Sequence, residues 1–152
     1  MRRKLVACGA RVVLTRDADV QLGLEARVRR AAEAGADLLV SLHFNSLPAT
    51  SDPLAARGGT TFYLQPPAEP LARAIQARLA STGLSDRGVR TAPFRVILTP
   101  RIPAVLIEQL FLTHPEDEML LLYEPFDERL AQADADGIAD FALAHTPKEK
   151  QP

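Results

Sequence analysis

The stretch Ala36-Asp37-Leu38-Leu39-Val40-Ser41-Leu42-His43-Phe44-Asn45-Ser46 restricts the possible folds of this chain more than any other. Leu38, Leu39 and Val40 form a short unbroken apolar run, preceded by a polar helical segment that stops at Gly35. Such a run reads as a strand buried on both faces, as in a parallel sheet under helices. Its polar end, Ser41, His43 and Asn45, falls on one face because strand side chains alternate. Open α/β sheets bind ligands beyond the carboxyl ends of their parallel strands. His43 is therefore the first candidate for chemistry. A hydrogen-bonded histidine at a strand end is the other reading of the same residue.

Ala104-Val105-Leu106-Ile107-Glu108 repeats the pattern: an apolar run with an ionisable group at its carboxyl end. The segments around these two runs fit an α/β fold with a mostly parallel sheet. Arg11 to Leu14 reads as a strand because it is short and β-branched. A helix follows over about 23–34, with Leu24, Val28, Ala31 and Ala32 on its apolar face and Gly35 as its stop. A crossover of this length makes the flanking strands parallel. Residues 44–58 form a long loop, and Thr60 to Leu64 a further strand. The apolar spacing of Leu71, Ile75 and Leu79 predicts a helix over 68–82. Residues 85–90 read as a polar connector and Phe94 to Leu98 as a strand. Pro100 and Pro103 bracket a turn. A short helix is expected over 116–122 and a long one over 126–144, with Phe126, Leu130, Ala133, Ile138 and Phe141 inward. The expected organisation is one domain, residues 1–145, with a charged, proline-ended tail at 146–152 that should be disordered.

Size and charge exclude several function classes. A chain of 152 residues fits one core, and a domain of that size buries about 70% of its unfolded surface. Net charge is −1, which implies no charge-driven binding to nucleic acid or anionic membrane. No run is long enough to span a bilayer. The basic start Met1-Arg2-Arg3-Lys4 is followed by too few apolar residues for a signal peptide. Cys8 is the only cysteine, so no internal disulfide exists, and it reads as a packing residue at a helix end. There is no phosphate-binding glycine loop and no G-x-S-x-G elbow. Among the basic residues, Arg27, Arg29 and Arg30 read as a solvated helix face, with Arg27 facing differently from its neighbours.

His43 and Glu108 thus stand at corresponding ends of two parallel-type strands. Neutral imidazole binds Zn²⁺, the metal lowers the pKa of a bound water, and a nearby carboxylate takes the proton. The competing reading is a strand-end carboxylate paired with Arg90, Arg95 or Arg101. The residues alone leave both open.

Several motifs in one order resemble the zinc-dependent N-acetylmuramoyl-L-alanine amidases. They are Gly9-Ala10-Arg11-Val12-Val13-Leu14-Thr15-Arg16, Leu24-Glu25-x-Arg27 and Ala36 to Asn45. After them come Arg87-Gly88-Val89, Phe94-x-Val96-Ile97-Leu98 and Pro103-Ala104-Val105-Leu106-Ile107-Glu108-x-x-Phe111-Leu112-Thr113. The resemblance covers about residues 5–144. It implies a three-layer fold, a twisted, mostly parallel sheet between helices. It also implies hydrolysis of the amide between N-acetylmuramic acid and L-alanine in peptidoglycan. Carried over, His43 is a Zn²⁺ ligand and Glu108 the catalytic carboxylate. Glu108 would take a proton from zinc-bound water and support the departing amine. The expected location is periplasmic or otherwise outside the cytoplasm, and the expected partner is peptidoglycan. His114 stands where the family usually has asparagine and is not promoted to a ligand. His145 reads as incidental. The family's opening strand, with its histidine-bearing glycine turn, and a glutamate before the next helix have no counterpart here. The resemblance therefore implies an amino-terminally truncated catalytic domain. That leaves a start assigned too late, a shortened gene copy, or a catalytically inactive module that binds cell wall or a partner.

Overall fold

The computed structural model describes residues 1–99 and 102–145, with the backbone alone for Glu124. Helix α1 (Arg2–Ala7) opens the chain and α2 (Leu24–Glu33) follows. Gly35, at φ 58°, turns the chain out of α2 in the left-handed region that favours glycine. The N–H of Ala36 bonds back to the carbonyl of Ala31 at 3.1 Å, and β1 (Leu39–Asn45) begins within one short connection. Then come β2 (Gly59–Tyr63), α3 (Glu69–Ala80), β3 (Asp86–Thr91), β4 (Ala104–Phe111), α4 (Pro115–Leu121) and α5 (Glu124–His145).

The four strands form one sheet in the order β1-β4-β2-β3. β1 and β4 are parallel, β2 and β3 are parallel, and β2 runs antiparallel to β4. Alternation along β4 sorts the core into two layers. Val105 and Ile107 pack with Leu71, Ile75 and Leu79 of α3 and with Leu130, Ile138 and Phe141 of α5. Ala104 and Leu106 pack on the other side with Ala31 of α2, Leu39 of β1, and Val96 and Ile97. Helices therefore cover both faces, and each fully buried Leu or Ile contributes about 1.5–3 kcal/mol. A buried amide ties the second half of the sheet together. Gln76 of α3 donates to the Gly59 carbonyl at 3.1 Å and to Asp86 at 2.6 Å, and accepts from the Thr61 hydroxyl at 2.8 Å.

Four expectations change. Arg11 to Leu14 forms no strand, because among the described residues no strand lies on the outer edge of β1 for it to pair with. Residues 86–91 are a strand rather than a connector; their polar side chains fit an edge strand hydrogen-bonded only to β2. Residues 94–98 are not a strand, since β3 already occupies the free side of β2. Arg95–Ile97 instead makes a 3-10 turn that buries Val96 and Ile97 over Leu39 and Leu106. The expected tail at 146–152, with Pro100 and Arg101, lies outside the described residues. Cys8 is exposed at the end of α1, so it is not a packing residue.

Candidate active site

β1 and β4 run side by side in the same direction, and their register pairs His43 with Glu108 directly. Adjacent strands lie about 4.8 Å apart, and partners in register share a face. Both side chains therefore issue from the face covered by α2, just past the Leu39 and Leu106 layer. The antiparallel ladder adds a third residue to the row, because Thr60 of β2 is the partner of Glu108 on the other side. Thr60 is buried. No local pattern marks its place, since nothing in Gly-Gly-Thr-Thr announces an antiparallel β2.

His43 is half-buried, and its Nε2 lies 2.9 Å from the hydroxyl of Ser41, two residues back on the same face. Burial lowers its pKa first, and the positive charges of Arg27 and then Arg16 lower it further. The imidazole is thus held neutral near pH 7, the form with a free lone pair. Glu108 shows the opposite shift: burial pushes its carboxyl above the ordinary range. Its Oε2 is buried and has no hydrogen-bond partner among the described residues. Such a carboxyl has a raised affinity for a proton and an unused acceptor atom. Of the arginines considered as partners for Glu108, neither Arg90 nor Arg95 forms an ion pair with it. Arg95 pairs with Glu25 at 3.0 Å, and Arg101 lies outside the described residues.

The wall beside this row is anchored by a buried carboxylate. Asp117 accepts from the N–H of Gly58 at 2.6 Å and of Phe111 at 3.0 Å, with Arg57 Nε at 3.5 Å. At the other end of the loop, the Leu47 N–H donates to Thr113 Oγ1 at 3.1 Å. Both ends of segment 46–58 are therefore fixed to the turn after β4. Gly58 needs its φ of 86°, and a Cβ there would drive into the Ser85 carbonyl.

The other histidines stand apart. His114 caps α4, its Nδ1 accepting from the Glu116 N–H at 3.2 Å, and His145 stacks on Phe141. Among the described residues no three His, Cys, Asp or Glu side chains are grouped so that they could hold a metal. The row offers one imidazole, one carboxyl and one hydroxyl. It suits proton transfer to and from a water or an amine, and by itself it does not make a zinc site.

The arginine field gives a direct test. The ring of His43 should titrate below 6.5 by NMR, and Arg27→Gln should move its pKa upward. An unchanged midpoint in Arg27→Gln would show that this arginine does not act on the ring.

A family model described as N-acetylmuramoyl-L-alanine amidase matches residues 1–140. The chain is 38% identical over 139 residues to N-acetylmuramoyl-L-alanine amidase LytC of Bacillus subtilis (strain 168), a match covering 91% of this chain and 28% of that protein. It is 36% identical over 138 residues to the endolysin of Bacillus phage SPP1, covering 85% of this chain and 49% of the endolysin. The chain thus spans half or less of these two relatives. Among solved structures, the catalytic domain of CwlV, an N-acetylmuramoyl-L-alanine amidase from Bacillus (Paenibacillus) polymyxa var. colistinus, superposes with a TM-score of 0.83 at 35% identity. That match covers 93% of this chain and 80% of the other.

Proposed function

The chain belongs to the N-acetylmuramoyl-L-alanine amidase family, and we propose that it is the part of a cell-wall hydrolase that cleaves the amide between N-acetylmuramic acid and L-alanine. The observation that supports this most is the register pairing of His43 with Glu108 at one end of the sheet. Glu108 is the proton carrier. As carboxylate it takes a proton from the attacking water, whose oxygen bonds to the lactyl carbonyl carbon. The C–N bond then breaks, and Glu108 returns the proton to the departing alanine nitrogen. A carboxyl shifted upward by burial suits both halves of this exchange near neutral pH. His43 faces the same reacting group with its neutral ring, oriented by Ser41.

The resemblance also implies zinc, which would supply Lewis-acid polarisation. His43 is the one imidazole donor in the row, and the described residues form no three-donor set around it. They do not by themselves fit the metal, so zinc dependence is proposed only for a polypeptide that brings further donors. The substrate places the protein's work outside the cytoplasm. No helix among the described residues is long and apolar enough to cross a membrane.

The test is product analysis. The longest in-frame product of the gene, supplied with zinc, should release new amino-terminal alanine from purified peptidoglycan, detected by amine labelling and mass spectrometry. New reducing sugar ends, or new amino termini on other residues, would refute the assignment of the bond.

A further inference from the structure

Helix α2 ends next to the start of β1, across the short turn at Gly35. It packs on the sheet through Ala31 and Val28 against Leu39, Ala104 and Leu106. The helix therefore runs back along the strands, as a crossover helix does. Its first turn lies over their carboxyl ends, where His43 and Glu108 stand. Arg27 is four residues before Ala31, on the same inward stripe. Its Nε donates to the Leu22 carbonyl at 3.0 Å, and the side chain is partly buried. In the loop before α2, Arg16 donates from Nη1 to the Val20 carbonyl at 3.1 Å.

Six other arginines, Arg3, Arg29, Arg57, Arg73, Arg78 and Arg95, each pair with a carboxylate. Arg27 and Arg16 pair with none among the described residues. A guanidinium held by one backbone bond keeps its remaining N–H groups for a planar anion. The nearby Glu108 does not supply that anion, since among the described residues no cation acts on it.

We propose that Arg27, together with Arg16 of the loop before α2, seats a carboxylate of the substrate's peptide: the α-carboxylate of the D-glutamyl residue that follows L-alanine. This rests on the amidase reading above. The electropositive field at His43 agrees with it. The D-glutamyl residue is joined to the rest of the stem through its γ-carboxyl, so its α-carboxylate is free and lies one residue beyond the scissile amide. The pair of arginines then makes the enzyme selective for stems that keep this acid over stems in which it is amidated.

Two probes isolate that group: N-acetylmuramyl-L-alanyl-D-glutamic acid and N-acetylmuramyl-L-alanyl-D-isoglutamine, which differ only in the α-carboxylate. Binding to the 152-residue chain, measured by NMR titration at low salt, should favour the acid by about tenfold. Arg27→Gln should reduce the preference to less than about twofold while changing the affinity for the isoglutamine probe little. Arg27→Lys should retain part of it. Arg16→Gln, at an exposed position, should weaken the acid alone by about two- to threefold. Equal affinity for both probes in the unchanged chain, or an undiminished preference in Arg27→Gln, would overturn the carboxylate seat and leave the muropeptide reading standing. Binding of neither probe would overturn both.

Discussion

Replacing Glu108 with glutamine is expected to slow peptidoglycan amide hydrolysis by about 10²–10⁴-fold, the usual worth of a positioned general base. The glutamine keeps the shape of the side chain and cannot carry a proton between water and amine. The fold should not suffer. Among the described residues Glu108 has no cation partner to lose, and its buried Oε2 has no hydrogen bond to break. Removing a carboxylate that burial disfavours should leave thermal stability at pH 7 equal or raised. Loss of activity with an unchanged melt therefore separates a chemical role from a structural one. The pH profile supplies a second signature. The acid limb of kcat/KM should fall above the usual glutamate range, because burial raises this carboxyl. Activity near the unchanged level in Glu108→Gln would remove the residue from the mechanism.

The second large effect lies on the opposite face. Asp134 of α5 is fully buried. Its Oδ2 accepts from Gln109 Nε2 at 2.7 Å, and its Oδ1 has no partner among the described residues. Burial raises its pKa from 3.8 to about 7, against smaller lowering effects of the amino-terminal ammonium and Gln109. The folded chain therefore binds more protons than the unfolded chain between those two values. Stability should fall as pH rises through that window, and the full cost should stand above it. Each pKa unit corresponds to about 1.4 kcal/mol, so this one carboxyl costs on the order of 2–4 kcal/mol at pH 8. Asp134→Asn should remove the slope and raise Tm at pH 8 by about 5–15 °C, with little change at pH 4. An identical pH dependence of Tm in the two proteins would mean that Asp134 is ionised at no such cost.

Which parts of this were legible in the sequence follows from how each element is buried. β1 and β4 announce themselves because both are covered on two faces, which demands unbroken apolar runs, and their ends carry His43 and Glu108. β3 is silent because an edge strand paired only to β2 needs no apolar stripe, and Asp86 to Thr91 has none. Phe94 to Leu98 misleads because Val96 and Ile97 are as buried as strand residues, yet they cover a face instead of joining a ladder. Arg11 to Leu14 has the composition of a strand and, among the described residues, no strand to pair with. In the site, the period of two along a strand was enough to align Ser41 with His43. The part played by Thr60 and the reach of Arg27 depend on partners distant in sequence, and no local pattern carries them. Asp134 is similar: one aspartate in a long helix gives no sign that it lies against Gln109.

In the proposed mechanism His43 and Glu108 act as one unit. Alanine-amine release should be compared for His43→Ala, Glu108→Gln and the double variant, in the longest in-frame product with zinc supplied. Residues that serve the same step are strongly non-additive. The double variant should therefore be no slower, within about threefold, than the slower single variant. Multiplication of the two separate losses in the double variant would show that the imidazole and the carboxylate serve different steps, and would contradict the account.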